Sequence, residues 1–459
     1  MPYTRLNIVD LKKNYPERFG RFVMALKNLE DSDDWYRICG IHGNTFRPGD
    51  SEVLCPTDPN IVKFVAETGE PVYCKHKVYN FIAWHTPYLH QFEMLLNKHS
   101  RSTNKDYITL PYIDLTDFTA DFRFMNDKMI TIFYDKKQMT IDNPLASAYY
   151  YPQGSEIKTK TVRNGFLTPR TQKERIQLNT VKRQLNNVLY ALNYETFSSH
   201  PISYKRTGSI SQYTPLETPH NSIHDIIGGA GGNMSDISIS AFDPIFWLHH
   251  CYMDRHFYSW AHANTNGFKT SLYPHKITKP VYNSTLAPFF NKYPYNSDFE
   301  RYTYGWMNLH PEYLQTLDIL DMKRFPYTYD LIVPTPPSKS EAFVELIDIP
   351  IPQETVSIEA YIHLKTEELD RVRHFAGSAV WLGLNRSMRE CARCKITLTN
   401  IKIDIAEYLA TNSITKRNID QYLLVIEGAG RLIEIDSENY RRYTQGELLG
   451  GGEFKLIVV

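Results

Sequence analysis

Apolar residues recur at helical spacing in three stretches of the first two thirds of the chain, residues 78–96, 173–192 and 246–263, each set among loop-rich sequence. Beyond about residue 340 the period changes. In Val356–Leu364 the apolar Val356, Ile358, Ala360, Ile362 and Leu364 alternate with polar or amphipathic residues, the pattern of a strand with one buried face. Similar runs follow at 379–384, 395–405, 421–426, 431–435 and 454–459, separated by glycine, asparagine and charged turns. Between the two regimes, residues 332–340 hold three prolines and two serines, the composition of a linker. The pattern predicts a mainly α-helical domain over 1–331, a linker over 332–340 and an antiparallel β-sandwich over 341–459.

Composition narrows the function classes. With 42% hydrophobic residues among 459, each domain can bury a core. Lys+Arg and Asp+Glu both number 51, and a chain without net charge is a poor nucleic-acid or polyanion binder. No apolar run approaches the roughly 18 residues that span a bilayer, and the opening residues lack the apolar core of a signal peptide. A cytoplasmic, membrane-free protein is therefore expected. Cys39, Cys55, Cys74, Cys251, Cys391 and Cys394 are too scattered to read as a disulfide framework. The 16 histidines matter more, because imidazole is the commonest metal-binding side chain and several stand at non-random spacing.

His220 and His224 are four apart, so on a helix they share a face and can grip one metal. A zinc peptidase would follow the first histidine with a catalytic glutamate, and Asn221 stands there instead. Further on, an aromatic run from Phe242 carries adjacent His249 and His250 and then Asp254–Arg255. Neighbouring helical residues point about 100° apart, so only one of the two faces a given ion. His250, which shares a face with Asp254, is the candidate. Upstream, His76 and His85 are nine apart, about half a turn out of phase on one helix, so His76 must precede the helix that carries His85. His42, beside Gly43 at an expected helix C-terminus, offers a third donor. That makes two sets of three imidazoles, more than one ion needs.

With these motifs the chain resembles the type 3 copper family of tyrosinases, catechol oxidases and molluscan hemocyanins, from Trp35 to about Trp306. The matching pieces are Ile-His-Gly at His42, Cys-x-His at His76, Phe-Ile-Ala-Trp-His-x-Pro at His85 with Glu93 beyond it, His-Asn-x-x-His at His220, and Asp-Pro-Ile-Phe-Trp-Leu-His-His-x-x-x-Asp-Arg through Arg255. The resemblance implies that His42, His76 and His85 hold one copper ion and His220, His224 and His250 the other. Similarity to the fungal tyrosinases further implies a thioether between Cys74 and His76, a Tyr-x-Tyr motif at residues 302–305 closing the catalytic domain, and a C-terminal domain covering the site. Two positions depart from the family pattern: Thr86 stands where an arginine is usual, and His90 where an apolar residue is.

Three neutral imidazoles per ion suit copper, and a copper pair can take up O2. A monophenol must also lose a proton held with a pKa near about 10. In similar tyrosinases a Glu and an Asn at the positions of Glu217 and Asn221 hold a water for that purpose; Glu217 also reads as an acid favoured by a helix N-terminus. The glycines at 228–232 have no Lys-Ser/Thr after them, so they are not a phosphate loop and instead let backbone pass close by. By the same resemblance Ile237 aligns with a substrate gate, Cys391 and Cys394 with a copper-delivering Cys-x-x-Cys, and Trp381 or Leu382 with the side chain that plugs the substrate pocket; two cysteines at a strand end is the plainer reading of the pair. The expectation is a latent tyrosinase taking monophenols to o-diphenols and these to o-quinones with O2, for melanin-type pigment, with phenolic substrates, an activating protease, no nucleic-acid or membrane partner, and a homo-oligomer left open. A catechol or o-aminophenol oxidase is the enzymatic alternative, and a hemocyanin-like O2 carrier the alternative of another class.

Overall fold

The computed structural model describes residues 3–43, 45, 74, 76, 81–100, 107–152, 154–191, 194–199, 214–263, 327–334, 342–350, 355–364, 374–381, 398–414, 418, 421–428, 431–435, 443–444 and 453–458. Its N-terminal part is built on helices α1 (Ile8–Asn14), α2 (Pro16–Glu30), α3 (Asp33–Gly43), α4 (Phe81–Ser100), α5 (Gln172–Val188), α6 (Tyr194–Ser198), α7 (Glu217–Gly228) and α8 (Pro244–Ala263). The three helices expected from periodicity are α4, α5 and α8. Helix α2 was not among them; Pro16 opens it, and its buried Phe19, Phe22, Val23, Leu26 and Leu29 recur every three or four residues. Local chemistry sets the other starts. A capping box between Thr171 and Glu174 begins α5, and Asp243 Oδ1 accepts from the Ile245 N–H at 3.0 Å ahead of Pro244 at the start of α8.

Helices α4 and α8 are buried around nearly their whole circumference, which is why their sequences carry so little charge. They pack against each other through Phe92 stacked on Trp247 at 3.7 Å and Tyr88 beside Trp247 at 4.7 Å. Strand β1 (Tyr3–Arg5) pairs in parallel with β6 (Tyr327–Tyr329), bringing the two ends of the helical part together. Two short antiparallel pairs, β2 (Met129–Tyr134) with β3 (Lys137–Asp142) and β4 (Tyr149–Tyr150) with β5 (Thr159–Lys160), lie between α4 and α5 in sequence. Among the described residues no helix is long and apolar enough to cross a membrane.

The C-terminal part is antiparallel. Its strands are β7 (Ala342–Pro350), β8 (Val356–Leu364), β9 (Phe375–Trp381), β10 (Leu398–Asp404), β11 (Tyr422–Gly428), β12 (Arg431–Ile435), β13 (Tyr443–Thr444) and β14 (Glu453–Val458), with one short helix, α9 (Ala406–Thr411). Two four-stranded sheets, in the orders β10-β7-β14-β13 and β12-β11-β8-β9, share one core. Val344, Leu346, Ile401 and Ile403 from the first meet Ile358, Ala360, Ile362, Leu424 and Ile426 from the second. The expected alternation in β8 appears as drawn, with Ile358, Ala360 and Ile362 inward. Strand β7 went unread because its Glu345 and Asp348 interrupt a continuous apolar run rather than alternating with it.

Strand β9 decides where Trp381 goes. Phe375, Ala379 and Trp381 occupy the sandwich core, while Ser378 and Val380, on the opposite face, line a cleft with Gln177, Thr180 and Val181 of α5 and Ser222, Asp225 and Ile226 of α7. Trp381 is thus buried in the sandwich core, in the cluster that also takes in Ile176 of α5. Leu382, Cys391 and Cys394 lie outside the described residues, as do Tyr302 to Gly305 and most of the 332–340 stretch. The sheets are held to the helices by charge at their edge: Lys173 pairs with Glu359 at 2.7 Å, and Arg183 with Asp404 at 2.5 Å and Glu407 at 3.2 Å. Thr355 Oγ1 adds a bond to the Ser235 carbonyl at 2.9 Å.

Candidate metal centre

All six predicted histidines are buried. His42 sits in the last turn of α3, where Gly43 abuts residue 238 so closely that a Cβ there would lie 2.3 Å from the Ser238 backbone. This approach lets His42 Nδ1 donate to the Ile237 carbonyl at 3.0 Å. His85, on α4, gives its Nδ1 proton to the Phe81 carbonyl at 2.7 Å, and His224, on α7, to the Met234 carbonyl at 2.7 Å. His220 Nδ1 meets Asn221 Oδ1 at 2.8 Å. Carbonyl and amide oxygens only accept, so each of these four rings carries its proton on Nδ1 and turns the Nε2 lone pair the other way.

Those lone pairs converge in two adjacent groups. Ring centroids of His42, His76 and His85 lie 5.9 to 6.0 Å apart. In the second group, His250 Nε2 stands 3.2 Å from His220 Nε2 and 3.3 Å from His224 Nε2. The groups touch, with His85 stacked on His250 at 4.3 Å and His76 5.6 Å from His220. His76 precedes α4 rather than lying on it, as its phase against His85 requires. Burial lowers the imidazole pKa of His42, His220 and His250, takes His85 down to about 3 and His224 down to about 4, and keeps all five neutral at pH 7. His42 Nε2 is buried with no hydrogen-bond partner among the described residues, an arrangement that costs free energy unless a ligand takes the lone pair.

The donor set is chemically selective. The donor atoms that lie within 4.8 Å of one another are those of His42, Cys74 and His85 in the first group and of His220, His224, His249 and His250 in the second, with no carboxylate in either, and Cys74 Sγ lies 3.4 Å from His76 Nδ1 and 3.5 Å from His85 Nε2. Nitrogen and sulfur without oxygen disfavour magnesium or calcium and suit copper. His249, which the adjacency argument set aside, also belongs to the second group, its ring 5.1 Å from His220 and 4.8 Å from His224. His90 is elsewhere: its ring faces Tyr327 at 6.4 Å. Glu217 and Asn221 share the buried stripe of α7 with His220 and His224, and Ser199 Oγ donates to Glu217 Oε2. Ile237 contributes its backbone to His42; the described contacts assign its side chain no gating part.

A buried charge cluster that sequence reasoning missed joins α4 and α8, the helices of His85 and His250. Arg5 is fully buried, with Nε 2.9 Å from Glu93 Oε2 on α4 and Nη1 3.2 Å from Asp254 Oδ2 on α8, and its guanidinium lies 3.5 Å over the Tyr327 ring. Tyr327 and Tyr329 hydroxyls donate to the same Asp254 oxygen at 2.9 and 2.6 Å. Thr86, directly after His85, donates to Asp254 Oδ1 at 2.7 Å, so the departure from arginine at this position still reaches α8. The Tyr-x-Tyr that engages this cluster is at 327–329. Tyr-Thr-Tyr occurs at both 302–304 and 327–329, and pairing with β1 distinguishes the second.

A family model for the common central domain of tyrosinase matches residues 32–263, half of the chain, and takes in all six histidines. The chain belongs to the tyrosinase family. Tyrosinase of Neurospora crassa is 29% identical over 310 residues, covering 58% of this chain and 44% of that relative. The chain spans about half the length of the curated relatives it matches. Its fold is that of a pro-tyrosinase mutant from Aspergillus oryzae, with a TM-score of 0.62 at 17% identity over 95% of this chain and 94% of that one. Deoxygenated hemocyanin from Rapana thomasiana superposes equally well, with a TM-score of 0.62 at 18% identity, over 100% of this chain and 99% of that one. The cofactor of this type 3 copper family is a pair of copper ions, and the two imidazole groups of this tyrosinase-family chain fit that pair.

Proposed function

We propose that this chain is a copper-dependent tyrosinase in a latent form, converting monophenols to o-diphenols and these to o-quinones with O2, for melanin-type pigment. The observation that carries the reading is the pair of abutting, buried imidazole groups, His42–His76–His85 and His220–His224–His250, as the ligands of two coppers. When bound, the copper pair supplies O2 activation and the two-electron oxidation of the ring. The protein supplies the rest. Carbonyls of residues 81, 234 and 237 and the Asn221 amide hold four rings in the tautomer that presents Nε2. Glu217 accepts the phenol proton, directly or through a water that Asn221 helps to hold, and burial of the whole stripe keeps bulk water out.

Cys74 lies at van der Waals range of the His76 ring, which favours a thioether that would fix this loop-borne ligand. Latency rests on the docking of β9 against α7, the helix of His220 and His224, with the 332–340 stretch as the cleavage site for an activating protease. Cys391 and Cys394 are assigned to copper delivery. The test is oxygen uptake by copper-loaded protein given a monophenol or an o-diphenol, before and after limited proteolysis in 332–340. Cleavage switching on both activities is the expected result. Oxidation of the diphenol alone means a catechol oxidase, and two coppers per chain with reversible O2 binding and no turnover means an oxygen carrier.

A further inference from the structure

Residues 197–199 make three contacts that no metal-binding motif explains. The Phe197 carbonyl accepts from the Leu216 N–H at 2.7 Å, which pins this segment to the residue just ahead of α7. Ser198 Oγ accepts from the Ile82 N–H, in the first turn of α4, at 3.4 Å. Ser199 Oγ donates to Glu217 Oε2, in the first turn of α7. Both serines are 0% exposed, so neither hydroxyl is there for solubility. The dipeptide therefore ties the N-terminal ends of the two helices that carry His85 and His220, and its second hydroxyl reaches the one carboxylate on the histidine stripe of α7.

We propose that Ser199 is a positioning residue whose hydroxyl, by donating to Glu217 Oε2, holds this carboxylate in the rotamer that takes the proton from a monophenol. The proposal rests on Glu217 acting as the base. A glutamate side chain has three rotatable bonds, and a fixed donor narrows the rotamers open to it. A donated hydrogen bond to an ionised carboxylate is short and directional, and being charge-assisted it is stronger than a neutral one. The proton passes from the phenol oxygen to a Glu217 oxygen, leaving a phenolate and a neutral acid. An o-diphenol is oxidised without insertion of oxygen and depends less on that placement.

The test is a double-mutant cycle on the full-length, copper-loaded chain activated by linker cleavage, with copper content measured for each variant. Ser199→Ala is expected to bind two coppers and to lower the ratio of monophenol to o-diphenol kcat by about 10-fold, the scale of one charge-assisted hydrogen bond, with little change in KM. Ser199→Cys, of similar shape but a weak donor, should lower it likewise. In a Glu217→Gln background the serine substitution should change the ratio no further, because its effect runs through the carboxylate. An unchanged ratio in Ser199→Ala while Glu217→Gln lowers it overturns the serine's role alone. A further drop in the Glu217→Gln background also overturns it. Equal loss on both substrates in Glu217→Gln, or no turnover of either phenol by the activated parent, overturns the base assignment and the proposal with it.

Discussion

The two imidazole groups are assembled by different means. His220, His224 and His250 come from two helices, and the first two are set by the pitch of α7 alone. His42, His76 and His85 come from a helix end, a segment ahead of a helix, and a helix interior, and their meeting depends on Gly43 admitting the backbone at 238. One group is secured by local geometry and the other by long-range packing. The lesson is that the second group should survive disturbances that scatter the first, unless the disturbance reaches the Arg5 cluster that spans both.

The largest effect expected is His224→Ala, which should leave one copper per chain instead of two and abolish oxidation; metal analysis with oxygen uptake checks it, and two coppers with full activity would refute the ligand assignment. Arg5→Met should cost about 3–5 kcal/mol in denaturant unfolding, because it strands Glu93 and Asp254 as buried carboxylates, and it should weaken copper retention in both groups. Gly43→Ala bears on the contrast directly. Its methyl would meet the Ser238 backbone, costing about 1–3 kcal/mol and reducing copper at the first group while the second stays filled, which site-resolved spectroscopy would separate.

Acid is a gentler probe. His85 and His224 have folded pKa values of about 3 and about 4, below the unfolded value near about 6.5, so in that window the unfolded chain binds protons that the folded one does not. Stability of the metal-free protein should therefore be full above about pH 6.5 and fall as pH drops through the window towards 3. A melting temperature independent of pH from 7 to about 4 would count against neutral burial. The smallest effect belongs to Cys74→Ser, which should loosen copper at the first group only. Intact mass of the parent should be lower by two hydrogens where the thioether has formed, lost to O2 at the copper pair, and unchanged in the variant.

Legibility followed the same division. Helical period exposed α4, α5 and α8, and i, i+4 spacing exposed His220 with His224 and His250 with Asp254. The alternation in β8 announced an antiparallel sheet with a single buried face. By contrast, Arg5 is 88 residues from Glu93 and 249 from Asp254, and no local pattern marks a lone arginine near a chain terminus as the tie between two helices. Ser199 was equally silent, being an ordinary serine until the Phe197 carbonyl is seen fastened to the start of α7. Trp381 was legible as a large aromatic, and only the register of β9 shows that it lies in the sandwich core.

By itself the sequence singled out the histidines that the structure brings together and the local geometry of half of them, since residue type and helical or strand period are properties of neighbouring residues. It also determined membership in the tyrosinase family, through motifs that are each a few residues long. Tertiary structure decided which of two identical Tyr-Thr-Tyr segments closes the helical part, which oxygen orients each imidazole, and which face of β9 meets α7. Those choices depend on contacts between segments tens to hundreds of residues apart, where burial in a shared core, and not propensity, selects the partner.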